Sequence, residues 1–188
     1  MAGKDLESLS EQQLISCDSS SLNYGCDGGI AEFAFMQVQS VGGLVSEEEY
    51  PYEELDTLAV SSCDSSLLSP SNFKATVDNW QYVDLGDQDE EFLQLSLIKA
   101  GPLALTINAS GMEYYDHGVD DYEFCSASDL DHAVLLVGFG TTDEGVDYWT
   151  IKNSFGEEYG EGGYYRMVRG KNSCGVTRRV LTAIVNER

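Results

Sequence analysis

Three short segments carry side chains that could do chemistry. Asp131-His132-Ala133 opens an apolar strand, Lys152-Asn153-Ser154-Phe155-Gly156 follows the next strand, and Gly25-Cys26-Asp27-Gly28-Gly29 precedes a helix. An imidazole can give or take a proton near neutral pH. Singly, each segment has an ordinary structural reading: a His before a strand is commonly a satisfied core residue, and an Asn at a strand end is commonly a turn residue. The five cysteines, Cys17, Cys26, Cys63, Cys125 and Cys174, include no Cys-x-x-Cys, and there are two histidines, which argues against a structural zinc site. Their wide spacing suits disulfides made in an oxidising compartment, with one thiol left over; five reduced, buried thiols are the alternative. No metal or other cofactor is expected. Gly138-Phe139-Gly140 lacks the further glycine and helix of a dinucleotide loop. Asp120-Asp121 and Asp143-Glu144 lack the spacing of an EF-hand. His117, in a Tyr- and Asp-rich loop, reads as an exposed residue, and the tyrosines as core and rim.

The elements that must position these residues change character along the chain. Ser8-Leu9-Ser10-Glu11 reads as a capping box, Ser8 as N-cap, opening a helix from Leu9 to Ser16. A second helix is expected from Gly28 to Ser40, ended by Gly42-Gly43. Ser46-Glu47-Glu48-Glu49 reads as another box opening a single turn that Pro51 blocks. Asp56 to Ser71 is Ser-rich and loop-like. Trp80 to Leu85 reads as extended chain and Asp89 to Ala100 as a helix closed by Gly101-Pro102. Leu103–Ala109, Ala133–Gly140, Val146–Asn153, Gly163–Val168 and Val180–Val185 read as strands. Helices lead and strands follow, an α+β layout with a helical part first and a sheet or barrel behind it. The acidic runs Glu47–Glu49 and Asp87–Glu91 are expected to be solvated helix N-termini.

Composition narrows the partners. Of 188 residues 42% are hydrophobic, which supports a buried core rather than disorder. Asp and Glu total 33 against 10 Lys and Arg, a formal net charge of −23. That excludes the basic footprint of a nucleic-acid binder and attraction to an anionic membrane. It fits a self-repelling soluble surface, or an acidic compartment such as a lysosome or vacuole. No apolar run approaches the ~20 residues that cross a bilayer. Met1-Ala2-Gly3-Lys4-Asp5 lacks the apolar core of a signal peptide.

Taken together and in order, the segments resemble the papain-like cysteine peptidases, most closely the cathepsin L type. The resemblance runs through Leu9-Ser10-Glu11-Gln12-Gln13-Leu14 with Cys17, Gly25-Cys26-Asp27-Gly28-Gly29, Gly42-Gly43-Leu44, Ser46-Glu47-Glu48 and Tyr50-Pro51-Tyr52. It continues through Gly101-Pro102-Leu103, Asp131-His132-Ala133-Val134, Tyr148-Trp149, Lys152-Asn153-Ser154 and Cys174-Gly175, nearly the whole chain. It implies a two-lobe fold: a helical lobe over residues 1–80, incomplete here, and an antiparallel β-barrel lobe over 81–188 whose C-terminal tail returns toward the first.

The resemblance also implies roles. His132 would be the catalytic histidine, pairing with a thiolate and then protonating the leaving amine. Asn153 would orient the imidazole, an amide doing so without adding charge. Asp131 would help keep His132 protonated. Gly28 and Gly29 would let an extended substrate approach the backbone. Ile30, Ala31, Thr106, Leu130 and Ala133 would line the pocket for the second substrate residue, with Arg179 at its base. That pocket favours a hydrophobic side chain, or an acidic or polar one if Arg179 points inward; the alternative is that Arg179 points to solvent and neutralises nearby carboxylates. Phe155 stands where the family has a shielding Trp, and Tyr159 where it has a second. Cys17 would pair with Cys63 and Cys125 with Cys174, leaving Cys26 unpaired. Polypeptide substrates, and protein inhibitors or a propeptide, are the implied partners of a monomer in a lysosome, vacuole or the extracellular space.

One part of the pattern is missing. The family's nucleophile lies ~130–150 residues before its histidine, and counting back from His132 reaches no cysteine. Neither Cys17 nor Cys26 stands in a Cys-Gly-Ser-Cys-Trp setting, and the oxyanion-hole glutamine is absent with the nucleophile. The expectation is a truncated peptidase, inactive alone. The alternative is a non-catalytic homologue that binds peptides or proteins.

Overall fold

The computed structural model describes residues 6–18, 20–53, 61–83, 85 and 89–185. The chain divides into two compact units, one of Met1–Gln81 with Ala183–Arg188 and one of Tyr82–Thr182.

The first unit holds α1 (Glu11–Cys17), a 3₁₀ turn at Gly25–Asp27 and α2 (Ala31–Val41). The expected cap at Ser8 is displaced to Ser10. Leu9 pairs with Ser46 in an antiparallel bridge, so the chain is still extended where the box would need it to turn. Ser10 Oγ accepts from Gln13 N at 2.9 Å and donates to Tyr50 O at 2.7 Å. α2 likewise starts later than expected, at Ala31, because Gly28 (φ 104°) and Ile30 (φ −129°) are not helical. Gly42 closes α2 in the left-handed conformation, its N–H on Val38 O. Ser46 does cap a turn, accepting from Glu49 N at 3.3 Å. Residues 56–60 of the expected Ser-rich loop lie outside the described residues. The buried centre is small: Cys17, Val45 and Tyr50, with Leu67, Leu68 and Phe73 packed against it. Polar side chains complete it. Gln13 donates to Gly43 O and accepts from Val45 N, both at 2.9 Å, and Cys17 is bonded to Cys63.

The second unit carries most of a sheet, of which Asn79–Gln81 and Ala183–Ile184 are counted with the first unit. Strands β1 (Asn79–Tyr82), β2 (Leu103–Ile107), β3 (His132–Thr141), β4 (Asp147–Lys152), β5 (Tyr164–Val168) and β6 (Val180–Ile184) run in the order β1-β6-β2-β3-β4-β5. β2 is antiparallel to β3 and β6, and β4 to β3 and β5. The fold is α+β. Strict alternation sends Leu103, Leu105 and Ile107 inward from β2, and Trp149 and Ile151 inward from β4. They join Leu136, Tyr165 and Met167 in one core, together with Leu93 and Leu97 of α3 (Glu90–Ala100). Each such side chain contributes roughly 1.5–3 kcal/mol on burial.

The acidic start of α3 departs from the expected solvated N-terminus. Asp89 is the N-cap, but Glu90 is 9% exposed. Its carboxylate accepts from the indole N–H of Trp149 at 2.6 Å, Gly170 N at 2.8 Å and Asn172 N at 2.5 Å. Three donors offset the desolvation of a buried carboxylate. Asp84, Asp87 and Gln88, within the expected extended and acidic stretches, lie outside the described residues.

Candidate active site

The second unit brings His132 and Asn153 together. β3 begins at His132, opposite Ile107 of β2. β4 ends at Lys152, opposite Leu135 of β3, so the β3–β4 hairpin delivers Asn153 to the level of His132 although 21 residues separate them. His132 Nε2 lies 2.8 Å from Asn153 Oδ1. A carboxamide oxygen only accepts, so Nε2 carries the proton and donates. In the neutral ring this leaves Nδ1 with the lone pair, the nitrogen able to take a proton from a nucleophile.

Asn153 is buried, 8% exposed. Its main-chain N donates to Gly163 O at 3.0 Å. Its Nδ2 is buried without a hydrogen-bond partner among the described residues. Beside it lies a shallow depression of about 270 Å³ lined by Ala133, Val134, Leu135, Lys152, Asn153 and Ser154.

Phe155 sits against the imidazole, ring centroids 5.1 Å apart and planes 32° apart. It is 55% exposed, so one face of the ring covers His132 while the rest meets water. Tyr159 meets Phe155 edge-on at 5.2 Å, and its hydroxyl donates to Met112 O at 3.0 Å. Burial pushes the Tyr159 phenol up to about 12.

Asp131 is exposed, and its carboxylate accepts from Ala109 N at 2.8 Å. Thr106 and Ala133 face each other across β2 and β3, and Thr106 N donates to Arg179 O. Leu130 packs over Gly175, where an added Cβ would come within 2.7 Å of Leu130 Cδ2. These residues gather around the end of β2 in the second unit. Gly28, Gly29, Ile30 and Ala31 belong to the first unit, between the 3₁₀ turn and α2. Gly29 has a local reason to be glycine: a Cβ there would meet Asn23 Oδ1 at 2.5 Å, the atom that accepts from Ile30 N.

Disulfides join Cys17 to Cys63 and Cys125 to Cys174, and Cys26 is free and exposed. His117 is exposed beside Asp116. Among the described residues no group of three His, Cys, Asp or Glu side chains could hold a metal ion. Two polar anchors escaped the sequence reading. Glu90 looked like one more exposed acid, and Asn108 lay inside an expected strand; only the interruption of an apolar strand by a carboxamide marked it.

A histidine and an asparagine held so at the ends of adjacent antiparallel strands define a class. The sequence profile described as "Papain family cysteine protease" matches residues 1–184, and the chain belongs to that family. It is 41% identical over 174 residues to a "Cathepsin L-like peptidase" of Aedes aegypti, covering 91% of this chain and 49% of the relative. It is 44% identical over 180 residues to a "Viral cathepsin" of Adoxophyes honmai nucleopolyhedrovirus, covering 95% of this chain and 49% of the relative. Among solved structures, digestive procathepsin L 3 of Tenebrio molitor larval midgut superposes with a TM-score of 0.85 at 37% identity, covering 96% of this chain and 57% of that one. The bromelain protease of Ananas comosus, in complex with the E64 inhibitor, gives a TM-score of 0.84 at 31% identity, covering 97% and 80%. The chain spans about half the length of the curated relatives it matches.

Proposed function

We propose that these residues form the histidine–asparagine half of a papain-like cysteine endopeptidase that hydrolyses peptide bonds through a thioacyl intermediate. The hydrogen bond from His132 Nε2 to Asn153 Oδ1 carries the reading. It leaves Nδ1 to exchange protons with a thiol. A thiolate attacks the peptide carbonyl carbon and forms a C–S bond. The proton on Nδ1 passes to the leaving amine as the C–N bond breaks, and Nδ1 then takes a proton from the water that cleaves the thioester. Asn153 keeps the ring aligned through both steps.

Four of the five cysteines are in disulfides, and the fifth, Cys26, stands in Gly25-Cys26-Asp27-Gly28 rather than in a Cys-Gly-Ser-Cys-Trp setting. A nucleophilic thiol would therefore come from polypeptide outside these 188 residues, and the chain alone is expected to be inactive. Polypeptides are the proposed substrates. A propeptide and thiol-directed inhibitors are the proposed partners, in line with the proform and the inhibitor complex among the similar structures. The two disulfides support an oxidising or lysosomal setting. Gly28, Gly29, Ile30, Ala31, Thr106, Leu130, Asp131, Ala133 and Arg179 are the proposed substrate contacts. A library varying the second substrate residue, with and without Arg179→Ala, reads the contribution of Arg179.

The test compares this chain with a longer form carrying a Cys-Gly-Ser-Cys-Trp segment before it. The longer form should cleave a fluorogenic dipeptide, lose turnover to a thiol alkylator, and lose at least 10³-fold in kcat/KM on His132→Ala. Turnover by the 188-residue chain alone, blocked by the alkylator, would overturn the inactive half. No turnover by the longer form favours the second reading, a peptide-binding homologue, for which the exposure of Phe155 beside His132 speaks.

A further inference from the structure

We propose that Asn108 is a positioning residue for the His132–Asn153 pair, its carboxamide N–H fastening the loop that delivers His132 into β3. The purpose of that pair rests on the peptidase reading; the geometry does not.

β2 ends at Ile107, the residue opposite His132. The next residue, Asn108, is 6% exposed. Its Nδ2 donates to Asp129 O at 2.7 Å, its Oδ1 accepts from Ser110 N at 3.2 Å, and its own main-chain N donates to Cys174 O at 2.9 Å. One side chain thus ties the exit of β2 to the loop three residues before His132, while its backbone ties both to the segment that carries the Cys125–Cys174 disulfide. Two further bonds complete the seam, Asp131 N to Ile107 O at 3.0 Å and Ala109 N to Asp131 Oδ1 at 2.8 Å.

The polar contacts upstream are of another kind. Those linking Ser126, Ser128 and Asp129 are made between exposed groups open to water. The bond from Asn108 to Asp129 is part-buried: its donor is a buried side chain, although Asp129 itself is exposed, so water replaces it less freely than the bonds between exposed groups. The residue type follows from the task. Position 108 must donate to a carbonyl at 129 and accept from an N–H at 110 together. A carboxylate only accepts, and a hydroxyl is shorter by one heavy atom. Without that donor the Asp129–Leu130 peptide is free to turn. The 2.8 Å bond between His132 and Asn153 has a tolerance of a few tenths of an ångström.

The test reads side-chain N–H signals of the ¹⁵N-labelled 188-residue chain by NMR. In the unaltered protein, one carboxamide proton of Asn108 should exchange at least tenfold more slowly than a free carboxamide. In Asn108→Asp, which keeps the size and removes the donor, exchange of the His132 Nε2 proton should accelerate at least tenfold. The indole N–H of Trp149, bonded to Glu90 in the same unit, should be unchanged. An unchanged His132 signal in Asn108→Asp overturns the proposal. Loss of both the His132 and Trp149 signals overturns it too, because Asn108 would then serve the whole unit. A freely exchanging Asn108 carboxamide in the unaltered chain overturns it without any variant. None of these readouts needs turnover, so a chain that cleaves nothing leaves this proposal standing, and a displaced imidazole in the variant leaves the peptidase reading standing.

Discussion

The two units reach order by different means. The second buries Trp149, Ile151, Leu136, Tyr165 and their neighbours in one core with Leu93 and Leu97 of α3. Among the described residues the first clusters Cys17, Val45 and Tyr50 at its centre and relies on a disulfide and on Ser10 and Gln13 hydrogen-bonding to backbone. A sheet core spreads its stabilisation over many contacts, so no one of them is indispensable. A seam of side chain–backbone bonds concentrates it in a few groups, each costly to leave unsatisfied. Asn153, at the end of β4, stands on the distributed kind of structure, whereas His132 is delivered by a loop that the Asn108 side chain fastens.

The sharpest way to break this contrast is to remove one disulfide at a time. The two close loops of similar length, 46 and 49 residues apart in sequence. Loop-closure entropy therefore assigns each about 4 kcal/mol. Cys17→Ala with Cys63→Ala should nonetheless melt the first unit, while Cys125→Ala with Cys174→Ala should leave the second folded with a lower midpoint. Urea unfolding followed by hydrogen exchange separates the two, and equal behaviour would dissolve the distinction.

A smaller effect comes from single side chains. Gln13→Ala strands Gly43 O and Val45 N in a buried setting and should cost about 2–3 kcal/mol. Ile151→Val in the sheet core should cost about 1 kcal/mol. If the second change proves the more damaging, the first unit is not held as described.

The mildest test is pH. Burial holds the phenols of Tyr159 and Tyr165 above their ordinary value, Tyr159 at about 12, and the Asp120 carboxylate beside Tyr165 adds to the rise there. The unfolded chain ionises these groups near 10. Their contribution is therefore whole below about pH 10 and declines as pH rises toward 12. On the acid side, the Arg166 guanidinium bonded to Glu161 holds that carboxyl below its usual range. Its contribution is present above the ordinary glutamate value and is lost as pH falls through the lowered one. The pair is partly exposed, so added salt should weaken it. Both effects belong to the second unit; chemical denaturation across pH, read by Trp149 fluorescence, should show them.

Much of the architecture was legible in the residues. The expected strands Leu103–Ala109 and Ala133–Gly140 correspond to β2 and β3, and the helix expected from Asp89 to Ala100 and stopped by Gly101-Pro102 corresponds to α3. What was misjudged sits where a distant segment competes with a local signal. Ser8 had a good capping box, but a bridge between Leu9 and Ser46 kept the chain extended and moved the cap to Ser10. Glu90 had the look of a solvated acid, but Trp149, Gly170 and Asn172 converge on it.

The order and types of His132, Asn153 and the cysteines settle the family, because local patterning and motif order are written along the chain. That Nε2 meets Oδ1, that Asp131 turns to Ala109, and that Asn108 reaches Asp129 depend on register between strands 20 or more residues apart. Hydrogen bonds are short and directional, so tenths of an ångström decide them, and only the packed sheet sets distances that finely.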